Sequence, residues 1–390
     1  MTEGFDVVIV GGGVIGCCTA EQLSRRGVSV AVVEKGALAS GSTGRSSAIV
    51  RQHYSNEVTA RMARYGLETF RGFEERVGGP CGFDPCGFVV LVPEAEAEGL
   101  EANVALQRSV GIDTRLLSPE EIRSVVPGVA SADLVAAAYE PGAGYADPHL
   151  TTVGFAEAAK RRGARFFLNR EVTGIRFSGG RVVGVDTERG PLGASMVVNC
   201  AGPWGARVAG LAGVEVPVSS CRAQVAVFRR PEGHRGRHPV VLDFAHASYF
   251  RPETGDLMLV GLIDPSEADD VVDPDGYPVH TDQGFDVLVG QRWMLRCPAM
   301  DAAQPRGGYA GLYAVTPDWH PVIDEVPAGS GHFLCTGFSG HGFKLAPAVG
   351  LLLAEMVTGE EPTFAPGMFR LSRYSEGDPV RGRYEYSITG

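Results

Sequence analysis

Residues 5–36, FDVVIVGGGVIGCCTAEQLSRRGVSVAVVEKG, restrict the fold of this chain more than any other stretch. Val7–Val10 is a continuous apolar run of the kind that a parallel sheet buries on both faces. Gly11, Gly13 and Gly16 follow at once in G-x-G-x-x-G spacing, with Val14 and Ile15 between the last two glycines. A helix-forming stretch then leads to a second apolar strand, expected at Val28–Val33. In such a βαβ unit the first glycine allows a tight turn and the second lets backbone approach a pyrophosphate. The third lets the helix pack closely on the strand. Glu34 ends the second strand, where an acid accepts hydrogen bonds from a ribose hydroxyl, and Lys35 adjoins it. A glutamate rather than an arginine here disfavours a 2′-phosphate, hence NADP. Without strand, turn, helix, strand and acid in register, the same residues would be a tight turn beside an exposed glutamate.

The rest of the chain bounds what this unit can belong to. At 390 residues two domains are expected, and 44% hydrophobic with 21% charged residues excludes disorder and a membrane bundle. The longest apolar stretch, Leu345–Val357, contains Pro347 and Glu355 and is too short to span a bilayer. Met1–Asp6 is acidic and carries no basic n-region, so no signal peptide is expected. A formal net charge of -11 argues against nucleic-acid binding. Eight scattered cysteines and nine histidines form no zinc-site spacing. The expectation is a reduced, cytoplasmic, metal-free protein.

Two further loops point to a ligand. ASGSTGRSSAIVRQHYS, residues 39–55, places Ser40, Gly41, Ser42 and Thr43, then Arg45, Ser46 and Ser47, directly after the acidic position. Small residues there suit a ligand extending past the pyrophosphate, as FAD does, although by composition alone the segment is an ordinary loop. GFSGHGFKLAPAVG, residues 337–350, sets Gly337, Gly340 and Gly342 before the start of the last helix. Glycines ahead of a helix N-terminus let backbone N–H groups converge on an electron-rich ligand.

These blocks, with MVVNCAGPW at 196–204 and YAGLYAVTPDWHPVID at 309–324, resemble the FAD-dependent amine and amino-acid oxidoreductases of the D-amino-acid-oxidase superfamily. The nearest branches are sarcosine oxidase, sarcosine oxidase beta subunits and dimethylglycine dehydrogenases. The blocks run in family order from Asp6 to about Gly359, leaving SRYSEGDPVRGRYEYSITG (372–390) outside the resemblance. The resemblance implies an α/β fold. A Rossmann-type FAD-binding domain, with a parallel sheet and helices, is expected at 1–80, 140–215 and 307–370. An α+β substrate domain, built on an antiparallel sheet from discontinuous pieces, is expected at 81–139 and 216–306, with 371–390 as a C-terminal tail. Local signals agree. Asp147 reads as an N-cap with Pro148 at the first helical position, Gly179–Gly180 as a hairpin turn, and EVTARMARYGLETFRGFEERVG (57–78) as an amphipathic scaffold helix.

Residue roles follow from the same resemblance. It assigns Gly11, Gly13, Val14, Ile15, Gly16, Glu34 and Lys35 to the cofactor, with Ser42, Thr43, Arg45, Ser46 and Ser47. From the middle segment it adds Val172, Ala201, Gly202 and Trp204. From the end of the chain it adds Gly311, Gly337, Gly340, His341, Gly342, Phe343 and Lys344. The last loop would stabilise charge developing on the pyrimidine end of the flavin. Arg51 and Lys344 match the carboxylate-binding cations of sarcosine oxidases; without that match they would read as a surface arginine and a solvated lysine. Tyr249 and Arg251 alternate on an expected strand and share a face, turned either to substrate or to solvent. His341 fits a structural role better than a proton shuttle, and His53 lies beside Arg51.

The departures are informative. Tyr313 stands where glycine and D-amino-acid oxidases carry their carboxylate arginine. Gly311 stands where monomeric sarcosine oxidases tether flavin by a cysteine, which implies noncovalent FAD. Leu259 and Ile263 replace an oxygen-activating lysine and a substrate histidine, which makes a dehydrogenase plausible. The expected reaction is oxidation of the C–N bond of a small amino acid or N-methyl amino acid to an imine that water hydrolyses. Oxygen or another electron acceptor would take the electrons. Alternatives are a D-amino-acid or glycine-type oxidase, a simple amine dehydrogenase, an NAD-dependent dehydrogenase, and a flavoprotein subunit of a heteromeric complex. A homo-oligomer is also compatible, and neither nucleic acid nor membrane is expected as a partner.

Overall fold

The computed structural model describes residues 3–384. Two eight-stranded sheets organise them. In the first, strands His332–Thr336, Leu192–Asn199, Glu3–Val10, Val30–Val33 and Arg165–Phe167 run parallel in that spatial order. Val322–Glu325 closes one edge antiparallel. The hairpin Val172–Ser178/Arg181–Thr187 joins the start of Leu192–Asn199, and its turn places Gly179 and Gly180 at φ 58° and 79°. The second strand begins at Val30 rather than Val28.

Local chemistry sets the helices of this half. Asp147 caps Pro148–Lys160 by accepting from Leu150 N at 2.8 Å. Asn56 caps Glu57–Arg71 by accepting from Thr59 N at 2.9 Å. Helix Val14–Arg25 lies against the last helix, Gly342–Thr358, so closely that a Cβ on Gly350 would stand 2.7 Å from Cys18 Sγ. Ile9, Ala20, Leu23, Val349, Leu352 and Leu353 share one buried cluster between them.

The second sheet runs Gln304–Val315, Ser219–Arg229, Leu257–Leu262, Ser248–Glu253, Val240–Asp243, Phe88–Val92, Ala136–Glu140, Arg115–Leu117. It is antiparallel except where Val240–Asp243 meets Phe88–Val92. The period of two along its strands sorts side chains to two faces. Val241, Phe250, Phe228 and Val260 pack under helix Phe285–Arg296 with Val289 and Trp293, whereas Leu242, Tyr249 and Val225 face the first half. Gln304–Val315 pairs along Ser219–Arg229, so it lies in this sheet although most of it falls in the 307–370 range expected with the nucleotide-binding part. Among the described residues no helix is long and apolar enough to cross a membrane.

Candidate active site

A cavity of about 1200 Å³ lies where the C-terminal ends of the parallel strands meet the inner face of the second sheet. Its first end is built by the glycine turn. Gly11 has φ 114°, and a Cβ there would sit 2.4 Å from Cys200 O; on Gly16 it would sit 2.1 Å from Gly11 O. Only glycine allows these approaches. Glu34 accepts from Gly12 N and from Gly36 N, both at 2.7 Å, so its carboxylate is fixed while it lines the cavity. Thr43 Oγ1 accepts from Val14 N at 3.2 Å and ties the second small-residue loop to the helix start.

A strap from the second half, Pro274–Val279, borders the cavity at this end. Asp275 accepts from Trp204 Nε1 at 2.8 Å and from Arg207 Nη1 at 2.6 Å, and it pairs with Lys35. The Lys35 ammonium also stands 3.9 Å over the Trp204 ring.

The other end is built around two cations. Arg51 follows the short strand Ile49–Val50 and is 4% exposed; Lys344 sits in the first turn of the last helix and is 5% exposed. Both line the cavity. The Arg51 guanidinium stands 4.6 Å over the Tyr54 ring, with Lys344 Nζ 6.0 Å from the same ring. Burial, and then the charge of Arg51, hold the Lys344 amine well below its ordinary range. Its nitrogen donates to His341 O at 3.5 Å, and among the described residues no carboxylate pairs with it. Glu140 ends strand Ala136–Glu140, fully buried, and accepts from Gln52 N at 2.8 Å; burial pushes it up to about 7.

The walls here come from Ile49, Leu242, Ile263, Tyr249 and Tyr313. Tyr249 and Ser47 share a hydrogen bond of 2.7 Å, and burial raises the Tyr249 phenol further from ionisation. Among the described residues no histidine lines the cavity, so its side chains present no Ser–His or Cys–His pair. Among the described residues no cluster of His, Cys, Asp and Glu is arranged to hold a metal. What the side chains offer is a clamp for an anion beside apolar walls, continuous with a nucleotide-shaped channel.

The expected site residues mostly converge. Gly13, Val14, Ile15, Ser42, Arg45, Ser46, Val172, Ala201, Gly202, Gly311, Gly340, Gly342 and Phe343 line the same cavity. Gly16 and Gly337 lie behind it; Gly337, at φ 77°, is held where a Cβ would stand 2.3 Å from Thr316 Cγ2. His341 is also outside the lining, buried between Tyr54 and His320, and burial, Lys344 and Arg51 keep it neutral. Arg251 turns to Glu253 at 2.7 Å and stacks 4.1 Å over Tyr145. Leu259, its partner across the strands, is buried outside the lining, whereas Ile263 borders the cavity. Sequence reasoning missed Ile49, Leu242, Glu140 and the Pro274–Val279 strap. Strand alternation marks Leu242 as inward on one face or the other, but nothing local marks the strap.

The channel fits an FAD-sized dinucleotide: a glycine cradle with no room for Cβ, a fixed carboxylate beside it, and two helix N-termini, Val14 and Gly342, on one cavity. The comparisons agree. Residues 6–356 match the family described as FAD dependent oxidoreductase. The chain is 31% identical to the mitochondrial sarcosine dehydrogenase of Mus musculus over 92% of this chain, and it spans only 40% of that relative's length. It is 28% identical to sarcosine oxidase subunit beta of Rhodobacter capsulatus over 96% of this chain and 89% of that one. Among solved structures it is similar to L-proline dehydrogenase from P. horikoshii, with a TM-score of 0.90 at 28% identity, covering 97% of this chain and 100% of that one.

Proposed function

The chain belongs to the FAD dependent oxidoreductase family, and we propose that it oxidises the C–N bond of a small amino acid or N-substituted amino acid. The observation that carries this reading is Lys344: a buried cation beside Arg51, facing the cavity, with no carboxylate paired to it among the described residues. A substrate carboxylate supplies the missing charge. Arg51 grips it through its planar fork and Lys344 adds a point charge. The cofactor, held by the Gly11–Gly16 turn, Glu34, the Ser42–Ser47 loop and the Gly337–Lys344 loop, supplies a two-electron acceptor.

The chain's own residues prepare the substrate. Two cations disfavour a third positive charge nearby, so the bound amine is held in its neutral form, with its lone pair available. Ile49, Leu242, Ile263 and Tyr249 close the walls and displace water. The substrate loses a hydride from the carbon bearing nitrogen and gives the nitrogen's proton to water, becoming an imine; water then adds and the C–N bond breaks to a carbonyl and an amine, which stay in one molecule where the substrate is cyclic. Gly311 offers no thiol, which supports noncovalent FAD.

A second reading narrows the substrate to a cyclic secondary amino acid, and the similarity to an L-proline dehydrogenase favours it. Similarity to sarcosine oxidase beta chains supports work within a heteromeric complex. Anaerobic bleaching of the yellow protein by L-proline, sarcosine, glycine, D-alanine and their decarboxylated amines tests both. Bleaching by amines as readily as by the amino acids would overturn the carboxylate clamp.

A further inference from the structure

Arg51 lies on a segment, Arg51–Ser55, that is buried at every residue and has no regular structure beyond Val50. Its position is fixed by side chains from outside. Gln52 N is held by Glu140, and Ser55 Oγ accepts from Asn103 at 3.2 Å. Gln107, one turn after Asn103 on helix Ala97–Ser109, reaches Tyr54 O at 3.2 Å and His53 Nδ1 at 3.1 Å. The remaining brace comes from the far end of the chain. Tyr384 Oη lies 2.7 Å from His53 Nε2, the two rings stack with centroids 5.8 Å apart, and the phenol packs edge-on against Phe244 at 5.0 Å. Tyr384 crosses the start of the same helix: a Cβ on Gly99 would stand 3.2 Å from its ring.

The directions of these hydrogen bonds can be worked out. The Gln107 amide nitrogen has two protons, and Tyr54 O can only accept, as Nδ1 must when the second proton points to it. The His53 proton is therefore on Nε2, which donates to Tyr384 Oη. Burial pushes His53 down to about 3, so the ring is neutral and adds no charge beside Arg51. Arg51 Nη1 in turn donates to the His53 backbone carbonyl. A short chain of contacts thus runs from tail to ring to carbonyl to guanidinium.

We propose that Tyr384 is a positioning residue for Arg51, so that the segment beyond the last helix sets the grip of the carboxylate clamp. This rests on the carboxylate reading above. Replacing Tyr384 by Phe keeps the stacked ring and leaves the His53 Nε2–H buried without an acceptor, which frees the ring to shift and the carbonyl with it.

The test is spectral titration of the FAD-loaded protein with acetate and with pyrrole-2-carboxylate, together with substrate titration of flavin reduction. Tyr384→Phe is expected to weaken both carboxylates about five- to twentyfold, the lower part of what a buried unpaired donor costs, because the loss reaches Arg51 through the His53 carbonyl. The decarboxylated amine and FAD itself should bind as in wild type. In a His53→Leu background the Tyr384→Phe change should add nothing, because the link is already cut. Unchanged carboxylate binding in Tyr384→Phe overturns the proposal. So does equal weakening of carboxylate, amine and FAD, which would make the tail a general brace. The wild-type titration judges the premise separately: if neither carboxylate perturbs the flavin spectrum, the clamp itself falls, and the proposal with it.

Discussion

Lys344→Met should make the protein more stable and less able to act, two effects of opposite sign from one side chain. Lys344 is 5% exposed, its amine is depressed by burial and then by Arg51, and no carboxylate among the described residues offsets its charge. Exchanging a buried ion pair for apolar chains of similar volume stabilises by up to about 1–4 kcal/mol, and a buried amine with no carboxylate partner should gain on the same scale. With about 2.1 cal/mol/K of unfolding entropy per residue over 390 residues, each kcal/mol is worth about 1.2 °C, so the melting temperature should rise by about 1–5 °C. The gain has a pH signature. In the unfolded chain the amine titrates near 10.5 and in the folded protein well below it. Between those values the unfolded chain binds the extra proton, so wild-type stability rises with pH. The advantage of Lys344→Met should therefore be largest at low pH and vanish as pH approaches 10.5. Substrate binding goes the other way. Losing a desolvated partner of the carboxylate costs about 2–5 kcal/mol, roughly 30-fold to several thousand-fold in kcat/KM. Differential scanning fluorimetry from pH 6 to 10 and anaerobic stopped-flow reduction read the two halves. A lower melting temperature with unimpaired reduction would show that Lys344 serves the fold and grips nothing.

Glu140→Gln tests the acid behind Arg51. Its folded-state value near 7 lies above the unfolded value of 4.5, so wild-type stability is lost as pH rises between them, by about 3 kcal/mol in full. The variant should match wild type near pH 4.5 and melt higher at pH 8; parallel pH profiles would refute this. Glu34→Ala removes acceptors that also hold Gly12 N and Gly36 N, and should weaken FAD retention by about 1.5–3 kcal/mol without changing substrate choice, as followed by FAD fluorescence on dilution. Acid precipitation should leave FAD in the supernatant; flavin remaining on the denatured chain would contradict a noncovalent site at Gly311. With Leu259 buried outside the cavity, reduced flavin should reoxidise slowly in air and faster with an artificial acceptor, as seen by stopped flow.

What the sequence disclosed and what it hid have a common physical cause. The Gly11–Glu34 unit is legible because every one of its requirements is local: a backbone with no room for Cβ, a helix start, an acid at a strand end. The Asp147–Pro148 cap and the Gly179–Gly180 turn are legible for the same reason. The place of Gln304–Val315 is not, because its partner strand is some 80 residues away and alternation shows that a strand has two faces without showing which sheet it joins. Glu140 reads as an ordinary strand end until the fold brings Gln52 beneath it, and Tyr384 reads as tail until it meets His53. Arg51 and Lys344 fall between these cases. Family resemblance singled them out, while their shared cavity is a property of the three-dimensional fold.

The close contact of Gly350 with Cys18 sets an order of events during synthesis. Helix Val14–Arg25 is made long before Gly342–Thr358, the helix that covers it. Until that helix is made, Ala20 and Leu23 have no cover from Val349, Leu352 and Leu353. Between the two, a growing chain leaves that apolar face uncovered, the kind of surface that makes an incomplete fold prone to association. A chain cut between Glu34 and Gly337 keeps its dinucleotide fingerprint and lacks the loop, Phe338 to Lys344, that lines the other end of the channel.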